Sequence, residues 1–116
     1  MIPAELTMLL RSRTFPCSTE ATLQESIGLA LREWRIPFDR EYKLGPGERV
    51  DFFTHSGIGI EAKVTGQARS IFRQLERYAK HSEVLALILI TGRAMGLPAS
   101  INGKPLFYVS LGRSAL

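Results

Sequence analysis

The stretch GERVDFFTHSGIGIEAKVTG, residues 47–66, contains two apolar runs joined by a short polar segment. The runs 49–54 and 58–64 predict two β-strands, and the His-Ser-Gly sequence between them predicts a tight connection. Two strands joined in this way form an antiparallel hairpin. If the hairpin turns symmetrically about Ser56, residue 51 lies directly opposite residue 61.

Three charged side chains interrupt these two apolar strands. Glu61 and Lys63 are two residues apart and therefore share one face of their strand, and the register places Asp51 opposite Glu61. Opposite residues bring their Cβ atoms to about 5 Å, where two carboxylates repel each other unless a cation lies between them. Mg²⁺ or Mn²⁺ prefers oxygen ligands and would relieve that repulsion, and the carbonyl of Ala62 lies beside the same spot.

A simpler interpretation of the same residues is a salt bridge. Asp51 and Lys63 would then pair on a solvent-exposed sheet face, with Glu61 beside them. The strongly apolar flanks and the pairing of two carboxylates favour the metal site. In that site Lys63 would position a water molecule or offset charge on a phosphate, which suits phosphodiester hydrolysis.

The surrounding sequence predicts an α/β domain with a mixed sheet of four or five strands and helices packed on it. Apolar residues at helical spacing predict helices over 19–35 and 67–81. The strand at 83–91 is wholly apolar at its centre, and a crossover from 58–64 makes these two strands parallel neighbours. Further strands are predicted over 39–44 and 105–111, the second at a sheet edge because Pro105 lacks an amide donor.

Composition limits the class of protein. The 116 residues suit one domain, with 1–17 as an N-terminal arm containing one helical turn and 19–111 as the core. A single cysteine, Cys17, allows no internal disulfide and favours a cytoplasmic setting without a zinc site. We expect neither a signal peptide nor a membrane span, because the longest apolar run, 84–90, is only strand-length. The net charge of +4 permits a polyanionic partner.

The motifs Arg-Val-Asp51, Glu61-Ala-Lys63 and Gln74-x-x-x-Tyr78 resemble the PD-(D/E)XK nuclease superfamily. The proline that usually precedes the aspartate is Val here, a departure that touches no ligand. The order helix, three strands, helix, strand is also similar to the restriction-endonuclease-like core of that superfamily. Glu20, with the Leu, Gln and Ile that follow it, is similar to the first helix of the VRR-NUC and Holliday-junction-resolvase branches, and the Gln/Tyr pair to RecB-like nucleases.

The resemblance implies a role for each matched residue. Asp51 and Glu61 would bind the metal, Lys63 would be the catalytic lysine, and Glu20 would be an accessory ligand. Gln74 would orient the site or contact the phosphate backbone, and Tyr78 would support it. Apart from the resemblance, Tyr78 also fits a buried core tyrosine, since it lies on the apolar face of its helix.

Several other polar residues have competing interpretations. Glu25 competes with Glu20 for the metal site, although a capping box formed with Thr22 would also explain it. Glu41 fits a surface ion pair. A basic stripe on the second long helix fits a solvated face first and a nucleic-acid path second; it comprises Arg69, Arg73, Arg77 and Lys80. The arginines expected to contact phosphate are Arg40, Arg49 and Arg93.

Together these features predict a Mg²⁺- or Mn²⁺-dependent nuclease that hydrolyses phosphodiester bonds in DNA. The alternative is a catalytically lapsed nucleic-acid-binding or protein-interaction module on the same fold. A chain this small has little surface to grip a duplex, so we expect a homodimer or a larger nucleic-acid-processing assembly. Small solitary nuclease domains of this kind resemble those of bacteriophages and mobile elements.

Overall fold

The structure, a computed structural model, describes residues 1–92 and 95–111. Arg93, expected to contact phosphate, lies outside the described residues. The element order is helix, helix, three strands, helix and three strands. All the helices and strands predicted from the sequence are present, with small shifts at their ends. The first helix is longer than predicted, and the strand Ser100–Ile101 is additional.

Two helices precede the sheet. The first, α1 (Pro3–Arg11), starts with a proline at its first turn and is longer than the single turn expected. It packs on the sheet through Leu6 and Leu10, which are fully buried. The second, α2 (Glu20–Glu33), is capped by Thr19, whose hydroxyl accepts a 3.1 Å hydrogen bond from the Thr22 amide. Because Thr19 is the cap, the capping box proposed for Glu25 is wrong.

The three strands of the meander are β1 (Phe38–Gly45), β2 (Glu48–Thr54) and β3 (Ile58–Lys63). They are antiparallel neighbours, as predicted. Gly57 closes the connection between β2 and β3 with a φ of +93°, a backbone conformation that favours glycine.

Helix α3 (Ala68–Ala79) crosses from β3 to β4 (Ala86–Thr91), and these two strands are parallel, as the crossover predicts. Residues 83–85 were predicted to belong to this strand but precede it. Every residue of β4 is buried, because helices cover both faces of the sheet.

The far edge of the sheet differs from the prediction. A two-residue strand, β5 (Ser100–Ile101), pairs with the start of β6 (Lys104–Ser110), which itself lies parallel to β4. The described residues thus form a six-stranded sheet of order β1-β2-β3-β4-β6-β5, so the prediction of four or five strands is wrong. The placement of β6 at the edge is also wrong, because β5 lies outside it. A strand of two residues is too short to leave an alternating pattern in the sequence.

The sheet separates two apolar cores. On one face, α1 and α2 pack against the sheet through residues such as Leu10, Ile27 and Ile60. On the other face, α3 packs through Leu75 against residues such as Leu87. The result is a three-layer α/β arrangement. Within residues 1–92 and 95–111, no helix combines the length and apolar character needed to cross a membrane.

Candidate metal and phosphate site

The candidate site lies at the carboxyl end of the parallel strands. Lys63 is the last residue of β3 and is paired with Thr91, the last residue of β4. Open α/β sheets bind ligands at this edge, because loops and helix ends converge there. Asp51 reaches the same place from β2, since the β2–β3 ladder pairs Phe52 with Ile60 and the next position in that register is 51 opposite 61.

Asp51 and Glu61 are joined through each other's backbone. The Asp51 amide donates a hydrogen bond to Glu61 Oε1 at 3.2 Å, and the Ala62 amide donates to Asp51 Oδ2 at 2.8 Å. Side-chain oxygens therefore accept from amides of the neighbouring strand at this point of the hairpin. The two carboxyl groups are fixed by these bonds and each keeps one further oxygen: Oδ1 of Asp51 and Oε2 of Glu61.

The carboxyl pair is withdrawn from water. Glu61 is only 2% exposed and Asp51 is half-buried. The expected closeness of the two groups is confirmed, and the alternative of a salt bridge on a solvent-exposed sheet face does not fit the burial of Glu61. A buried carboxylate next to a second one needs either a proton or a cation.

Burial raises the pKa of both carboxyl groups. The pKa of Asp51 rises to about 6, against the opposing effects of the Ala62 amide and the Lys63 charge. The pKa of Glu61 rises to about 8, because burial and the neighbouring Asp51 carboxylate both disfavour its charge. Without a metal the pair therefore retains a proton at neutral pH.

Lys63 completes the group. Its Nζ lies 3.4 Å from Glu61 Oε2, and its side chain remains 22% exposed. The ammonium group therefore contacts the oxygen of Glu61 that no backbone amide occupies, and it also reaches solvent. The charge of Lys63 lowers the pKa of both carboxyl groups but does not overcome their burial.

Lys63 opens onto a cleft of about 260 Å³ that we call the Glu20–Lys63 cleft; its walls include Glu20, Lys63, Ser70, Gln74 and Arg77. Glu20 comes from the first turn of α2, and its charge raises the pKa of Asp51. Gln74 comes from α3. Three elements that are distant in sequence thus bring Glu20, Lys63 and Gln74 around one cavity next to the carboxyl pair.

Tyr78 lies one helical turn after Gln74 and is buried. Its hydroxyl donates a 2.8 Å hydrogen bond to the carbonyl of Arg49, which links α3 to β2 two residues before Asp51. Burial raises the pKa of the Tyr78 phenol above its usual range, and the nearby Glu61 and Asp51 carboxyls add to the rise. The interpretation of Tyr78 as a buried core tyrosine is therefore confirmed, and its supporting role in the site stays a prediction.

The remaining predicted residues lie further out. Glu25 is exposed on α2. Arg40 donates to Gln24 Oε1 at 3.0 Å and its guanidinium lies 4.9 Å from the centre of the Phe52 ring, in a separate cavity beside the end of α2. Arg49 is exposed, and its guanidinium lies 3.3 Å from Glu41, which confirms the predicted surface ion pair of Glu41.

Sequence reasoning missed two features beside the site. Arg77 was assigned to a solvated stripe, yet it lines the Glu20–Lys63 cleft; its position three residues after Gln74, on the same helix face, was the available signal. Glu41 has a φ of +51°, unusual for a residue with a side chain, at the point of β1 where the register with β2 places Asp51. No sequence signal indicated that conformation.

The donor set suits a hard divalent cation. The described residues contain no group of three His, Cys, Asp or Glu side chains placed to hold a metal ion. Mg²⁺, however, is often held by one or two carboxylates and otherwise by water. Asp51 and Glu61 provide such a pair, and the Ala62 backbone faces Asp51, so that its carbonyl lies on the same edge of β3. A cation would also replace the proton that the buried pair otherwise retains.

Comparison of this chain with known proteins identified no relative. No protein-family model, no curated protein and no solved structure matches this chain.

Proposed function

We propose that this protein is a Mg²⁺- or Mn²⁺-dependent nuclease that hydrolyses phosphodiester bonds in DNA. The observation that carries the proposal is the buried Asp51–Glu61 pair with Lys63 Nζ 3.4 Å from Glu61. Two carboxyl groups held this close are unfavourable without a cation, and an apolar pair would serve a purely structural role better. Such destabilised groups are concentrated at functional sites.

The proposed roles follow from position. Asp51 and Glu61 would hold the metal, with the Ala62 carbonyl beside them and Glu20 as an accessory acid across the cleft. When bound, the metal supplies a Lewis acid that stabilises negative charge on the phosphate. Lys63, whose ammonium group lies beside Glu61 and reaches solvent, would hold the attacking water and offset charge on the phosphate. A water molecule would form a bond to phosphorus and release one proton to solvent, the bond between phosphorus and the leaving oxygen would break, and the leaving oxygen would take up a proton from solvent.

The order of elements supports a restriction-endonuclease-like core. Helix α2, the β1–β3 meander, helix α3 and strand β4 follow one another as the resemblance implies, with β5, β6 and α1 as additions. Gln74 and Tyr78 both come from α3, and the Tyr78 hydroxyl bonds to β2 two residues before Asp51, which supports the roles that the resemblance implies for them. We also propose that the protein acts as a homodimer or within a larger assembly, since one chain offers little surface to a duplex.

A cleavage assay tests the proposal. Supercoiled, linear and four-way-junction DNA would be incubated with the protein in Mg²⁺, in Mn²⁺ and in EDTA. We expect cleavage that needs the metal, and a loss of roughly 100-fold or more in Asp51→Asn and Lys63→Met. Asp39→Asn and Lys80→Met make the same chemical changes at exposed positions and should cut normally.

The controls also decide between the alternatives. If the wild type cuts none of the DNAs with any divalent metal, or if Asp51→Asn cuts as well as Asp39→Asn, the nuclease proposal fails. Binding to DNA that survives EDTA, with no cleavage in any metal, would instead support the catalytically lapsed binding module. Circular dichroism of each variant would show that a lost activity does not reflect unfolding.

A further inference from the structure

A second cleft adjoins the first. It has a volume of about 330 Å³ and is formed by the β1–β2 hairpin and α3, with walls that include Lys43, Arg49, Arg77 and Gln74. We call it the Lys43–Arg49 cleft. Gln74 and Arg77 line both clefts, so the two cavities meet along this face of α3. A chain-like ligand in the Glu20–Lys63 cleft could therefore continue into the Lys43–Arg49 cleft.

The Lys43–Arg49 cleft presents cations that are only loosely held. Arg49 lies 3.3 Å from Glu41, and Arg77 lies 3.7 Å from Glu48, and both arginine side chains are more than half exposed. Exposed ion pairs of this kind contribute little, so an anionic ligand can replace either acid at small cost. Within the described residues no acid lies within ion-pair distance of Lys43.

Glu48 shows how Arg77 can be released. One of its oxygens lies 2.6 Å from His81 Nε2, much closer than the other lies to Arg77. The carboxylate is 23% exposed and stays hydrogen-bonded to His81 when Arg77 turns away. Movement of Arg77 towards a ligand therefore leaves no unpartnered acid behind.

The backbone of Arg49 is also held in place near the carboxyl pair. The Tyr78 hydroxyl holds the Arg49 carbonyl at 2.8 Å, and Asp51 follows two residues later on the same strand. The backbone of Arg49 is thus held by the same helix that carries Gln74 and Arg77. Because Arg49 and Asp51 are two residues apart on β2, their side chains share one face of the strand, and a phosphate bound by Arg49 would lie on the face that carries Asp51.

We propose that the Lys43–Arg49 cleft binds the phosphodiester backbone of the DNA strand next to the bond that is cut. Lys43, Arg49 and Arg77 would contact phosphate oxygens. In the absence of DNA, Glu41 pairs with Arg49 and Glu48 pairs with Arg77, and DNA would displace both acids. The proposal rests on the proposed nuclease function for the identity of the ligand. It assigns no base-specific contact, because lysine and arginine contacts to phosphate carry no sequence information.

Binding can be measured apart from cleavage. Fluorescence anisotropy with a labelled DNA oligonucleotide in EDTA would give the Kd at several salt concentrations for wild type, Lys43→Ala, Arg49→Ala and Glu41→Gln. We expect each cation variant to weaken binding of all sequences alike and to reduce the slope of log K against log salt by about 0.9. Glu41→Gln should tighten binding, because it releases Arg49. Arg32→Ala, exposed on α2 outside both clefts and outside the basic stripe of α3, is the matched control.

Cleavage measured at saturating DNA separates the two proposals. If the wild type cuts DNA while Lys43→Ala and Arg49→Ala bind like Arg32→Ala, the proposed role of the Lys43–Arg49 cleft is overturned and the nuclease function stands. If Lys43→Ala, Arg49→Ala and Arg32→Ala lose affinity equally, the loss reflects the change in net charge, and the proposed role of the cleft is likewise overturned. If binding depends on Lys43 and Arg49 and no metal supports cleavage, the cleft stands as a backbone-binding site and the nuclease function fails. If the wild type does not bind DNA, the proposed role of the Lys43–Arg49 cleft is overturned.

Discussion

At the scale of single residues, the site depends on a carboxyl group that the fold holds in an unfavourable place. Glu61 is buried beside Asp51, and even the Lys63 ammonium 3.4 Å away leaves its pKa raised. A buried acid with this property lowers the stability of the metal-free protein whenever it is ionised. Retaining it is consistent with a function that requires the charge, such as the binding of a cation.

Replacing Glu61 by glutamine should therefore stabilise the metal-free protein at alkaline pH. Glutamine is close in shape to the protonated acid and can still accept the Asp51 amide hydrogen bond, but it carries no charge. We expect the free energy of unfolding above pH 8 to rise by about 1–3 kcal/mol, measured by urea denaturation in EDTA. Glu41→Gln, at an exposed ion pair, should change it by less than about 1 kcal/mol. A Glu61→Gln protein that is less stable than wild type under these conditions would contradict this account.

At the scale of elements, the β2–β3 hairpin sets the separation of Asp51 and Glu61. The ladder next to them pairs Phe52 with Ile60, and the turn at Gly57 fixes that register. Gly57 has a φ of +93°, and a Cβ added there would lie 2.9 Å from Leu85 Cγ and 3.3 Å from the Glu83 carbonyl oxygen. A side chain at this position is opposed both by its backbone conformation and by its neighbours.

We expect Gly57→Ala to lower the free energy of unfolding by about 1–3 kcal/mol and to reduce cleavage, since the turn must shift. Gly103→Ala is the control: its φ is +77°, but no heavy atom of the described residues lies within 4 Å of the added Cβ. That variant should suffer the backbone strain alone and keep full activity. Urea denaturation with a parallel cleavage assay measures both effects, and equal losses in the two variants would show that the close contact with Leu85 is unimportant.

The elements also show how far the sequence predicts the structure. Two apolar runs and a symmetric turn about Ser56 predicted the hairpin register, and the helix followed by an apolar strand predicted the crossover from β3 to β4. These signals are local or periodic. The two-residue strand β5 pairs with residues that follow it closely in the chain, and it was missed because two residues show no periodicity. No sequence signal indicated the left-handed backbone at Glu41, and only the spacing from Gln74 pointed to Arg77 as a residue of the cleft. The cleft itself could not be predicted, because it forms where α2, β3 and α3 meet, and propensity and periodicity carry no information on contacts between distant segments.

At the scale of the whole molecule, helices cover both faces of the sheet, and the site lies at the carboxyl end of the parallel strands. The parallel strands β3, β4 and β6 lie between two apolar cores, and Lys63, at the carboxyl end of β3, lines the cleft beside α3. The net charge of +4 adds a general attraction for a polyanion. The same closure buries Asp51 and Glu61 deeply enough that their ionisation affects the stability of the entire chain.

Stability should consequently fall as pH rises in metal-free buffer and recover when Mg²⁺ is added. Folding raises the pKa of Asp51 from 3.8 to about 6 and that of Glu61 from 4.5 to about 8. Between about pH 4 and pH 8 the folded protein then binds more protons than the unfolded chain, so this contribution to the free energy of unfolding decreases with pH. Thermal unfolding in EDTA across this range should show a falling melting temperature.

Mg²⁺ should reverse the fall, because it binds the ionised pair and competes with the proton. Its stabilising effect should be small near pH 5 and grow towards pH 8, reaching about 2.7 kcal/mol where its concentration is a hundredfold above the Kd. Asp51→Asn removes one of the two carboxylates and should lose most of this dependence on Mg²⁺, whereas Asp39→Asn should keep it. A melting temperature that responds to Mg²⁺ equally at both ends of the range, or equally in both variants, would mean that the cation binds elsewhere on the protein.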